Sequence, residues 1–136
     1  MLDSLTIIFS PFHVGIHNHR VGNGPGRIRS LGIVQALTKL GITIHFKELD
    51  RVDEFEGEIG RSFEILRQTS TLVNEAVTSK SFPLILSGNC MASAAAACGL
   101  NIKDLGFIYF DAHDDLDSPD VSYRGANSLR FQLVWS

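Results

Sequence analysis

Cysteine and tryptophan are scarce in this chain: two cysteines and one tryptophan in 136 residues. Cys90 and Cys98 fall in a segment of small residues. On a helix their spacing is about 12 Å along the axis, beyond the reach of a disulfide. Two thiols of this kind suit a reducing compartment, so a cytoplasmic location is expected. An excess of basic charge is also missing. Lys and Arg number 12 against 15 Asp and Glu, a formal net charge of −3, and the basic residues form no run. A protein built to neutralise a phosphate backbone needs the opposite balance, so no nucleic-acid partner is expected. No long hydrophobic run is present either. The most apolar stretch, Phe82 to Leu100, contains Pro83 and is interrupted by Ser87-Gly88-Asn89, whereas a membrane-spanning helix needs about 20 predominantly apolar residues. The opening MLDSLTIIFSPF carries Asp3 and no basic residue before its short apolar run, which is unlike a signal peptide.

What remains is 44% hydrophobic and 20% charged, the balance of one compact domain with a sizeable core. Leu5-Thr6-Ile7-Ile8-Phe9 reads as a buried strand ended by Ser10-Pro11. The next segment holds Gly15, Gly22, Gly24 and Gly26 with Pro25, and reads as a surface loop leading to a helix with Pro25 near its start. Ile28, Leu31, Ile33, Val34, Leu37 and Leu40 mark that helix as one element, with Gly41 as its stop. Ile42 to Phe46 is a second strand. Glu48 to Glu58 has six acidic residues against Arg51 alone and reads as a solvated loop. Ile59, Phe63, Leu66, Val73 and Val77 then mark one face of a long helix ending at Lys80-Ser81. Phe82 to Leu86 is a third strand, with Pro83 near its first position. Cys90 to Cys98 is a tight helix of small residues stopped by Gly99, and Leu105 to Phe110 is a fourth strand. Alternation through strands near 5–9, 42–46, 82–86 and 105–110 predicts βαβ units and a mostly parallel sheet.

The chemistry concentrates where the fourth strand ends. Asp111-Ala112-His113-Asp114-Asp115-Leu116-Asp117 puts four carboxylates and an imidazole together. Charges this close repel, and burying any of them unpaired is costly. A bound divalent cation removes the conflict, because carboxylates and neutral imidazole suit Mn²⁺ or Zn²⁺. The alternative is a solvated acidic turn. Asp111, His113 and Asp115 occupy alternate positions just past a strand, where open parallel sheets place their sites. Cys90 follows the preceding strand and has three readings: a small buried hydrophobe, a thiolate ligand, or a nucleophile at a helix N-terminus with His113 as its base. The glycine-rich segment contains neither GxGxxG nor GxxxxGK[ST], and Pro25 removes a donor, which argues against a nucleotide loop. His13, His17 and His19 lie close together within that segment and read as solvent-facing side chains rather than ligands.

Three stretches, in order, resemble one family. Asp111-Ala112-His113-Asp114-Asp115 followed by Leu116-Asp117-Ser118-Pro119 resembles the DAHxD-[ILV]-x-[ST]-P segment of the ureohydrolases, the arginase, agmatinase and formimidoylglutamase superfamily. Leu86-Ser87-Gly88-Asn89-Cys90 stands upstream, where that family has a G-G-D-H segment. Gly24-Pro25 with Arg29 and Gly32 resembles the early G-P-x-x-[LI]-R-x-x-G pattern. The resemblance covers roughly residues 5–122.

The resemblance implies a three-layer α/β/α fold with a binuclear manganese centre at the sheet's carboxyl edge. It implies a hydrolase of linear guanidino or amidino carbon–nitrogen bonds, whose nucleophile is a metal-bridging water of lowered pKa. On that pattern Asp111 would bridge both metals, His113 would ligate one and Asp115 the other, and Asp117 would help recognise the substrate's distal polar end. Two departures stand out. Asn89-Cys90 replaces the usual aspartate–histidine pair, so Cys90 takes the place of a histidine ligand, and its softer thiolate favours zinc over manganese. The family also carries a later Asp-x-Asp pair that completes both metal shells, and nothing after Asp120 offers it. The expected organisation is therefore residues 1–122 as the N-terminal part of an arginase-like domain, truncated, and residues 123–136 as a divergent tail. The alternative to an active hydrolase is a catalytically inactive fragment that binds metal weakly at most. A guanidino or amidino substrate is the expected small-molecule partner of an active form. Self-association is expected because the sheet's next neighbours are missing.

Overall fold

The computed structural model describes residues 3–53 and 57–111. Its elements are β1 (Ser4–Ser10), β2 (Phe12–His13), β3 (Ile16–His17), a 3₁₀ turn (Arg20–Asn23), α1 (Gly24–Ser30), α2 (Ile33–Lys39), β4 (Thr43–Glu48), α3 (Gly57–Thr78), β5 (Phe82–Ser87) and α4 (Ala92–Leu100). β1 lies at the centre of a three-stranded sheet, with β4 on one side and β5 on the other. Both pairings are parallel and set Leu5 opposite Ile44 and Phe82. The chain steps from β1 to β4 in one direction and crosses back over β1 to reach β5. Because such crossovers are right-handed, the two connections fall on opposite faces of the sheet.

That reversal makes three layers. On one face Leu5, Ile7, Phe9 and Leu86 pack under Ile33, Val34 and Leu37 of α2. On the other, Ile8 joins Phe12, Leu49 and Val73, packed against Ile65 and Leu72 of α3 and Leu100 of α4. Ile7 and Ile8 are both fully buried, which explains why β1 reads as a continuous apolar run instead of an alternating one. Cover is thinner over β4, where an open groove of about 510 Å³ separates it from α2 and leaves Ile44 and Phe46 half-buried. No helix among the described residues is long and apolar enough to cross a membrane.

Four local expectations are corrected. The single helix over 28–40 is two helices, broken at Gly32, whose φ of +88° is left-handed and strains any residue with a β-carbon. The segment after β1 contains a hairpin, β2–β3, turned by Val14 and Gly15 at φ +47° and +80°. A valine in that conformation gives no turn signal to the eye. The buried face of α3 runs through Ser62, Thr69, Val73 and Ala76, while Ile59, Phe63 and Val77 are 54%, 48% and 39% exposed. The cause is α4: a β-carbon on its Gly99 would stand 2.5 Å from the Ser70 carbonyl oxygen and 2.6 Å from Val73 Cβ. Such close approach selects small side chains, so Gly99 lies inside α4 and the helix ends on left-handed Asn101.

The fourth correction concerns Leu105–Phe110, which forms no strand. Ile108 and Phe110 are 85% and 94% exposed. β-propensity alone does not make a strand; a parallel strand needs a paired neighbour and cover on both faces. Beyond the outer edge of β5 neither is present among the described residues.

On the exposed side of α3, Arg67 donates to both Glu64 carboxylate oxygens at 2.6 and 2.7 Å, and Gln68 donates at 2.9 Å. The Arg67 hydrogen bonds, aided by Gln68, hold the Glu64 carboxyl down at about 2. A lowered carboxylate pKa means that ionised Glu64 favours the folded chain, with a contribution complete above about pH 4.5 and lost as pH falls through about 2. Thermal melts of the wild type and Glu64→Gln should differ slightly near neutrality and converge across that window.

Candidate functional site

All three strands end at one rim, with Ser10, Glu48 and Ser87 as their last residues. Chain direction reverses at β1, so the gap between the ends of β1 and β5 is the position where open parallel sheets hold ligands. Here loops fill it. The Gly88 N–H donates to the Ser10 carbonyl at 3.3 Å. A β-carbon on Gly88 would collide with the Phe12 carbonyl oxygen and stand 2.8 Å from Gly22 Cα. One on Gly22 would stand 2.9 Å from the Phe12 carbonyl carbon. Gly22 and Pro25 are buried while His19, Arg20, Val21, Asn23, Gly26, Arg27 and Ile28 are exposed, so the glycine-rich segment runs on the surface as expected and closes the rim through these two buried residues. The space that remains is about 10 Å³, bordered by Ser10, Phe12, Ser62, Ser87 and Asn89. It has room for about one water, and Ser62 Oγ is buried there without a hydrogen-bond partner.

Past Gly88 the chain turns on the Ser87 hydroxyl, which accepts from the Asn89 N–H at 3.3 Å. Ser93 Oγ donates to the Cys90 carbonyl at 2.8 Å and starts α4. Cys90 emerges exposed at the rim, which sets aside its reading as a small buried hydrophobe. No disulfide joins it to Cys98, which is exposed on α4. Asp111 is exposed at the end of the irregular run. His113, Asp115 and Asp117 lie outside the described residues. Among the described residues no group of three or more His, Cys, Asp or Glu side chains is placed to hold a metal. A cysteine sulfur together with a carboxylate would suit zinc more than manganese. Of the four expected metal ligands, Cys90 and Asp111 are the two that lie among the described residues. The orphaned Ser62 hydroxyl had no sequence signal; the closeness of His13 and His19 is visible in the sequence, but the approach of their rings depends on the unannounced hairpin.

Residues 3–132 match the arginase family model. The chain belongs to the arginase family. It is 29% identical to the arginase of Brevibacillus brevis, over 92% of this chain and 45% of that protein. It is 26% identical to the arginase of Bacillus subtilis (strain 168), over 90% of this chain and 44% of that one. The crystal structure of arginase from Bacillus subtilis superposes with a TM-score of 0.79 at 23% identity, covering 93% of this chain and 44% of the other. The chain thus spans less than half the length of the relatives it matches, and its three-layer fold is the corresponding part of theirs.

The early glycine–proline pattern of this arginase-family chain has a structural account. Pro25 is buried at the first turn of α1, and Gly32 makes the break before α2. Between them, the Arg29 guanidinium lies 4.6 Å from the Phe46 ring centre and 5.6 Å from that of Phe9. The two rings are themselves stacked at 4.4 Å. Arg29→Ala is expected to cost about 1 kcal/mol, and Arg29→Lys less, read from urea unfolding.

Proposed function

We propose that this chain, by itself, is a non-catalytic member of the arginase family that binds a divalent metal weakly at most. The observation that carries this reading is the exposed run before Asp111. The family's reaction needs Asp111 fixed on a sheet rim beside its fellow ligands. Here the preceding residues lie outside the sheet, with Ile108 and Phe110 almost fully exposed. The candidate ligands are Asp111, His113, Asp115 and Cys90, with Asp117 as the residue that would meet a substrate's distal end. Four such groups are fewer than a binuclear centre requires. In metal sites the loss of one outer-shell partner alone costs about 10- to 100-fold in affinity or activity. Cys90 in the place of a histidine also tilts the set from manganese toward zinc.

Family membership favours a second reading, an active metal-dependent hydrolase of guanidino or amidino carbon–nitrogen bonds. One assay separates the two. The purified chain, supplied with Mn²⁺ and in parallel with Zn²⁺, is offered arginine, agmatine and formimidoylglutamate. Urea, ammonia and formamide release are expected to stay at the metal-only blank. Turnover by the chain alone would refute the non-catalytic reading.

A further inference from the structure

The loop region after β1 carries chemistry that the family's site does not use. Half-buried His13 on β2 and exposed His19 set their rings 5.9 Å apart, centre to centre, with planes tilted by 35°. His13 Nδ1 is buried and has no hydrogen-bond partner. Three non-glycine residues around them hold left-handed φ: Val14 at 47°, Asn18 at 52° and Arg20 at 44°. Backbone strain of this kind persists where surroundings over-determine it, and it clusters at ligand sites.

We propose that His13 and His19 form a two-histidine site for a borderline divalent cation, Zn²⁺ above all. Ring spacing is the first argument. Metal–nitrogen bonds of about 2.0–2.1 Å put each ring centre about 3 Å from the ion, so two imidazoles on one ion have centres about 5–6 Å apart. The orphaned nitrogen is the second: the ion supplies the partner that hydrogen bonding does not. Water completes the tetrahedral shell, and imidazole donors select zinc, copper or nickel over manganese and magnesium. His17 takes no part. It pairs with Phe12 across the hairpin, on the opposite face from His13, and its Nε2 lies 3.8 Å from Glu48. An ion at His13 and His19 ties β2 to the turn at Arg20–Asn23 and so holds Gly22 in place against Gly88.

The test is a Zn²⁺ titration of the full chain, followed by imidazole nitrogen–proton NMR, which reads the five histidines separately. His13 and His19 should shift together and saturate together, while His45 on β4 stays unmoved. His19→Ala, at an exposed position the fold does not depend on, should abolish the His13 shift and weaken binding there about tenfold or more. Resonances of His13 and His19 that do not move with Zn²⁺ overturn the proposal, as does a His13 shift that survives His19→Ala. A response confined to His113 places the ion elsewhere and overturns it as well.

Discussion

Gly88→Ala is expected to destabilise the chain by about 3 kcal/mol, a large share of the stability of a small domain. The new methyl group has nowhere to go. It would meet the Phe12 carbonyl oxygen and the Gly22 backbone at 2.8 and 2.9 Å. All of these are main-chain atoms, which cannot swing aside as a flexible side chain can. Relief requires the β5 end to part from the hairpin and the 3₁₀ turn, which loosens the contact that places Asn89 and Cys90 on the rim. Urea unfolding followed by circular dichroism reads the loss. Gly26→Ala is the control, since a β-carbon there meets nothing within 4 Å. Inside α1 it should be neutral or stabilising by up to about 1 kcal/mol. If Gly88→Ala unfolds at the wild-type urea concentration, the three loops are not the rigid closure described above.

The second large effect concerns solubility. The wild-type chain is expected to self-associate through the run at residues 107–110, where Ile108 and Phe110 present 85% and 94% of their surface to solvent. Apolar, β-prone residues exposed to solvent recruit further copies. Ile108→Lys with Phe110→Lys should convert a predominantly associated sample into a predominantly monomeric one. The fold should be intact, because neither side chain belongs to the packed clusters on the two faces of the sheet. Gel filtration with light scattering reads the change. A wild type that elutes as a 15.0 kDa monomer with a sharp thermal transition would show that the run is not an association surface.

The three central strands were legible because their physical requirements are local. Leu5 to Phe9 and Phe82 to Leu86 are nearly continuous apolar runs with apolar neighbours on both faces of the sheet, whereas Ile42 to Phe46 alternates apolar and polar residues and is only half-covered. The small-residue helix after Gly88 was legible for a related reason: Ala and Ser suit close packing. Family membership rested on residues in a fixed order around Gly24-Pro25, Ser87–Cys90 and Asp111–Asp115, and the placement of Cys90 at a strand's carboxyl end followed from the same order.

Other features depended on partners distant in sequence. Gly32 breaks a helix that its apolar pattern would have carried through. Val14 turns a hairpin against its own preference because Gly15 must pass close to Arg61 of α3. Which stripe of α3 is buried was decided by Gly99 on α4, a contact no periodicity records. Leu105–Phe110 has the composition of a strand and is not one, since a strand exists only with a neighbour to receive its hydrogen bonds. The sequence by itself determined the parallel α/β architecture, the family and the candidate ligand set, all written in local patterns. The tertiary structure alone decided the closed rim between β1 and β5, the approach of His13 to His19 and the exposure of the run before Asp111. Those outcomes depend on contacts between segments far apart in the chain, where packing outweighs local preference.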